Sequence, residues 1–120
     1  MEIQMKTLFW VGTSRKDLAA LPSDVRDVFG YALYKAEIGS QHSHAKPLKG
    51  FNGNGVIEVV KSQLRNTYRL VYSTDFNNGI YVLHCFQKKS TQGIKTSQSD
   101  MNLILVNYKV AKTHSQDTSK

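Results

Sequence analysis

Residues 56–87 read VIEVVKSQLRNTYRLVYSTDFNNGIYVLHCFQ, and this stretch decides the fold. It divides into three runs rich in β-branched and aromatic residues, 56–62, 67–73 and 79–87. Short polar segments separate them, the second ending in Asn78-Gly79, a pair that tolerates the positive φ of a tight hairpin turn. The first turn centres on residues 63–66. Three strands at hairpin spacing make an antiparallel meander. Within TYRLVYS, Tyr68, Leu70 and Tyr72 share one face and Thr67, Arg69, Val71 and Ser73 the other.

Upstream, residues 5–11 (MKTLFWV) have strand composition, and Ser14 offers an N-cap to a short helical run over 15–21. Pro22 fits the first turn of a second helix. Leu18, Leu21, Val25, Val28, Phe29, Ala32, Leu33 and Ala36 recur at steps of three and four, which is one helical stripe. Gly39 is a natural left-handed stop. Residues 40–55 (SQHSHAKPLKGFNGNG) show no period and read as a long loop. Downstream, Ser97 and Asp100 approximate a capping box before a helix that extends to about Lys112, with Met101, Ile104, Leu105 and Tyr108 at helical spacing. The order β-α-α-β-β-β-α predicts an α+β fold, with helices packed on a mainly antiparallel, twisted sheet. One domain is expected over 1–112, followed by a polar, disordered tail over 113–120.

The chain has 120 residues, a net charge of +7 and a single cysteine. A basic domain of this size suits polyanionic partners. Cys85 cannot form an internal disulfide and reads as a small core residue in a reducing cytoplasm. No apolar run is long enough for a membrane span. The N-terminus lacks the small-residue cleavage pattern of a signal peptide. His42 and His44 form an H-x-H pair without the further ligands that zinc needs.

Several side chains carry two readings. Arg69, in mid-strand, either pairs with Glu58 on the neighbouring strand or presents its fork to a phosphate on an open sheet face. His84 is either a hydrogen-bonded core residue or a proton carrier. Lys88 and Lys89 either solubilise a strand end or converge with Arg69 and Lys61 on one patch. Lys46 and Lys49 beside Phe51, together with Lys95, are candidates for RNA contact, while the loop reading anchors Leu48 and Phe51 to the core. A cation cluster of this kind could cleave RNA without a metal. The 2′-hydroxyl attacks phosphorus, fixed cations stabilise the charge that develops on oxygen, and a lysine, Tyr72 or His84 moves the protons. No P-loop, nucleophile elbow or metal constellation points to another chemistry.

The segments AKPLKGFNGNGVIEVV, NTYRLVYS and IYVLHCFQKKSTQGIKTSQSD resemble the phage-derived branch of the RelE/HigB toxin superfamily, from about Met5 to Lys112. The resemblance implies a RelE-like, microbial-ribonuclease-like fold. It also implies the role of toxin in a type II toxin–antitoxin system, an mRNA interferase that cuts mRNA on the ribosome without metal or cofactor. A cognate antitoxin, of helix-turn-helix type, would hold it inactive. On this pattern Arg69 falls on the phosphate-contacting arginine, and Lys88 and Lys89 fall on the basic position after the last strand. Glu58 and Val60 stand where RelE carries lysines. Ser97 stands where the branch has proline, and Asn107 and Tyr108 stand where an arginine is expected. A non-catalytic, basic RNA-binding relative of the same fold is the alternative that these departures keep open.

Overall fold

The computed structural model describes residues 4–51, 55–88 and 96–118. Its elements are β1 (Leu8–Trp10), α1 (Ser14–Ala19), α2 (Ser23–Glu37), β2 (Ala45–Pro47), β3 (Val56–Gln63), β4 (Asn66–Phe76), β5 (Gly79–Lys88) and α3 (Gln98–Thr118). The strands form a single five-stranded sheet in the order β1-β5-β4-β3-β2. β1 runs parallel to β5, and every other pairing is antiparallel, so the sheet is mixed. A radius of gyration of 13.9 Å is close to the ~13.6 Å expected of one compact domain of this length. This is the α+β class read from the sequence, with three helices and an added edge strand. Among the described residues no helix is long and apolar enough to cross a membrane.

Alternation along the meander separates two cores. On one face, Val25, Phe29, Ala32, Leu33 and Ala36 of α2 pack on Ile57, Val59, Tyr68, Leu70, Tyr72, Ile80 and Val82. Cys85 belongs to this core, where burial and then the charge of Asp17 push its thiol up to about 12. On the other face, Met101, Ile104, Tyr108 and Ala111 of α3 cover Val56, Val71, Leu83 and Phe86, with Leu48 and Phe51 closing the edge. α2 uses the apolar stripe that its spacing announces, whereas α3 uses Met101, Ile104 and Tyr108 of its stripe and leaves Leu105 44 % exposed.

The three meander strands each run longer than the sequence reading, and four other differences have a local reason. β1 starts at Leu8, and a backbone bond from Ile80 N–H to Thr7 O leads into its pairing with β5. Within 40–55, Ala45–Pro47 pairs with Ile57–Val59 as an edge strand, a position that suits Pro47, which has no N–H to donate. α1 begins at Ser14 rather than after it, and the Ser14 hydroxyl donates to the Val82 carbonyl at 3.3 Å. α3 continues to Thr118 instead of fraying near Lys112, because the His114 ring packs on Phe9 and Tyr81, with centroids 5.1 and 5.6 Å away.

The β4–β5 ladder shifts register between Val71, opposite His84, and Tyr72, opposite Val82. This bulge turns the Leu83 carbonyl out of the ladder, and buried Asn107 donates its side-chain amide to it at 2.7 Å. The asparagine on α3 thus has a structural task.

Candidate functional site

The strand registers place the chemistry-bearing residues on successive rungs of the face shared with α3. Lys46 lies opposite Glu58, Glu58 opposite Val71, and Val71 opposite His84, so one rung reads Lys46–Glu58–Val71–His84 across four strands. The next reads Val60–Arg69–Phe86, and the third Ser62–Thr67–Lys88. Because opposed residues project to one face, and every second residue does so too, Glu58, Arg69, His84 and Lys88 share a single surface of the sheet.

Glu58 is the hub. Its Oε2 accepts from Arg69 Nη1 at 2.5 Å, and its Oε1 lies 3.7 Å from the Lys46 ammonium. Arg69 and Glu58 are both buried, whereas Lys46 is 63 % exposed at the sheet edge. Lys88 is 5 % exposed, and its Nζ has no hydrogen-bond partner among the described residues. Desolvation lowers its pKa most, the Arg69 guanidinium lowers it further, and Glu58 opposes both. The group holds three cations against one carboxylate, so a net positive charge is focused where solvent is thin.

At the upper rung, His84 Nε2 lies 2.9 Å from Asp100 Oδ1, and its ring stacks on Phe86 with centroids 4.3 Å apart. Asp100 is itself held by the Ser97 hydroxyl at 2.7 Å, and its backbone N–H donates back to that hydroxyl at 3.2 Å. The capping pair that starts α3 therefore also orients His84. Sequence reasoning had assigned Asp100 only to the cap, and the missing signal was its reach across to β5.

Of the sequence candidates, Arg69, Lys88, His84 and Lys46 come to this one face. Lys61 does not. It lies opposite Tyr68 and projects to the α2 side, so it cannot join Arg69. Tyr72 is likewise on the α2 side, fully buried, with its hydroxyl pushed up to about 12 by burial, and it is withdrawn as a proton carrier. Lys49 is exposed in the turn after β2, while its neighbour Phe51 is buried in the α3-side core and presents no ring to a ligand. Lys89 and Lys95 lie outside the described residues. No group of three or more His, Cys, Asp or Glu that could hold a metal occurs among the described residues.

A mixed-sheet α+β domain with a covered cation–carboxylate group on one sheet face is the class defined by these observations. The chain matches the model of the Gp49-like phage-derived protein family over residues 16–109, from α1 into α3 and across every strand of the site. It belongs to that family. Comparison with curated proteins and with solved structures finds no match.

Proposed function

We propose that the protein is the toxin of a type II toxin–antitoxin system, with a RelE-like fold, and that it cleaves mRNA on the ribosome without a metal. The observation that carries this reading is Lys88. A covered ammonium without a hydrogen-bond partner among the described residues, set beside Arg69 and Glu58, costs stability, and groups kept at such a cost cluster at functional sites. Membership of the Gp49-like family and the resemblance to RelE/HigB toxins support the same conclusion.

The chemistry follows from the rungs. A phosphodiester entering from the Lys46 edge competes with Glu58 for the Arg69 fork, which suits two non-bridging oxygens. Displaced from Arg69, Glu58 accepts the proton of the 2′-hydroxyl as its oxygen bonds to phosphorus. His84 lies two strand spacings away, roughly 10 Å between backbones, on the far side of Val71. That separation suits a base and an acid on opposite sides of an in-line displacement. His84, held in place by Asp100, gives a proton to the departing 5′-oxygen. The products are a 2′,3′-cyclic phosphate and a 5′-hydroxyl. Lys88 and Arg69 stabilise the charge that develops on the non-bridging oxygens. The partner is a cognate antitoxin, of helix-turn-helix type, which keeps the cytoplasmic toxin inactive.

A second reading, a non-catalytic RNA-binding relative, is favoured by one observation: Glu58 already neutralises Arg69 in a buried pair. Controlled expression without a partner separates the two. Growth arrest that Arg69→Lys and Lys88→Met abolish supports the toxin. Full growth and intact transcripts with soluble wild-type protein refute it and leave the second reading.

A further inference from the structure

Helix α2 carries a second surface that the phosphate site does not use. Its inner stripe faces the sheet, but Tyr31 and Tyr34 on the outer side are 53 % and 49 % exposed. Their rings lie 6.4 Å apart with 26° between planes. His42 meets Tyr31 edge-on at 5.7 Å, and His44 meets His42 at 5.2 Å. The Lys35 ammonium sits 5.9 Å from the centre of the Tyr31 ring. Four rings and a cation therefore form a continuous run in which Tyr31, Tyr34 and His44 are exposed and His42 and Lys35 are half-buried.

The run is held in place rather than loosely displayed. The His44 backbone N–H donates to His42 Nδ1 at 3.0 Å, and the Ala45 N–H donates to the His42 carbonyl at 3.0 Å. Gln41 Nε2 closes the same turn by donating to the Ala45 carbonyl at 3.0 Å. Two residues beyond His44, Lys46 reaches Glu58 of the phosphate site, a step of roughly 7 Å along extended chain. The rings thus lead round the β2 edge to the cation group.

We propose that Tyr31, Tyr34, His42 and His44 form a base-stacking platform for single-stranded RNA, with Lys35 on its backbone, continuous with the phosphate site at Lys46. Aromatic faces take any base, and a lysine alongside supplies the charge, which is how single strands are gripped without sequence preference. Desolvation, then His44 and Lys35, holds His42 below the ordinary histidine range, so its ring stays neutral and suited to stacking at physiological pH. A protein-binding face would be built differently, because the centre of such an interface is depleted in lysine. The path of the strand toward Lys46 rests on the function proposed above, whereas the stacking itself does not.

The test is fluorescence anisotropy of a 5′-fluorescein-labelled 2′-O-methyl dodecauridine titrated with the full chain. Methylation removes the nucleophile, so binding is read whether or not the protein is a nuclease. Replacing both tyrosines by alanine should weaken binding roughly tenfold or more with an unchanged melting temperature. Tyr31→Phe with Tyr34→Phe should stay within about twofold of wild type, and the paired leucine variant should bind as poorly as the alanine pair. Lys35→Ala should lower the slope of log K against log salt by about one. Wild-type binding by the alanine pair overturns the inference, as does equal binding by the leucine and phenylalanine pairs. Intact RNA binding with loss of a co-purifying protein partner overturns it in favour of a protein face. A wild-type protein that binds this RNA but cuts none leaves the platform standing and refutes the nuclease.

Discussion

Lys88→Met should make the protein more stable and less active at once. Methionine keeps the length and apolar stem of lysine and removes an ammonium that is covered and without a hydrogen-bond partner among the described residues. Relief of one such group is worth about 1–3 kcal/mol. The lower part of that range applies, because Lys88 ends β5 at the margin of the sheet rather than deep within it. A gain of about 1 kcal/mol raises the melting temperature of a 120-residue domain by roughly 4 °C. The pH dependence has a definite sign. The folded-state pKa of Lys88 lies below its ordinary value, so between the two pKa values the unfolded chain binds more protons and wild-type stability rises with pH. The advantage of Lys88→Met is therefore largest below the folded pKa and shrinks as pH climbs toward the ordinary lysine value. The assay is differential scanning calorimetry of both proteins from neutral pH to about pH 10, beside growth arrest on expression. A variant that melts lower than wild type, or whose advantage grows with pH, refutes the reasoning about this site.

Three further outcomes follow from the same geometry. Glu58→Gln leaves the buried Arg69 guanidinium without its counter-charge and should cost about 3 kcal/mol in urea denaturation, whereas changes at exposed Lys46 should cost little. Tyr72→Phe should keep RNA cleavage within about twofold of wild type, since the hydroxyl is buried on the face opposite Arg69, and a large loss of activity would restore it to the site. Leu64 and Arg65 form the β3–β4 turn with φ of 49° and 69°, a conformation that favours Asn-Gly, so Leu64→Asn with Arg65→Gly should raise stability by about 1 kcal/mol in the same assay.

The parts of this fold that were legible in the sequence are those where burial imposes a period. α2 and β4 carry stripes whose faces follow from periodicity alone, whereas strict alternation along β5 puts His84 on the face of Ile80 and Val82, and the bulge at Leu83 moves it to the face of Phe86. That alternation already separated Tyr72 from Arg69, and it is the stronger guide to which side chains can meet. The partner of Arg69 was harder to read, because register across β3 and β4 depends on a two-residue turn whose Leu64 and Arg65 are not the residues such turns usually use. The same register sends Lys61 to the other face. β2 was hidden because three residues of edge strand between a polar run and a glycine-rich segment have no period to detect. The end of α3 was hidden because HSQDT is polar, and its anchors, the His114 ring against Phe9 and Tyr81 and buried Ser115 on the Lys112 carbonyl, are tertiary or local bonds without a period. Asp100 illustrates a further limit: a capping residue is recognisable locally, but its bond to His84 exists only once α3 lies across β5.

The most direct measurement of the central claim is the chemistry of new mRNA ends after expression of the chain without a partner. Attack by the 2′-hydroxyl leaves a 5′-hydroxyl on the downstream fragment, so ligation-based mapping should find new 5′-hydroxyl ends within translated codons. Those ends should be absent with Lys88→Met at equal soluble protein. New ends carrying 5′-phosphate, or 5′-hydroxyl ends that persist in the Lys88→Met variant, would contradict the account.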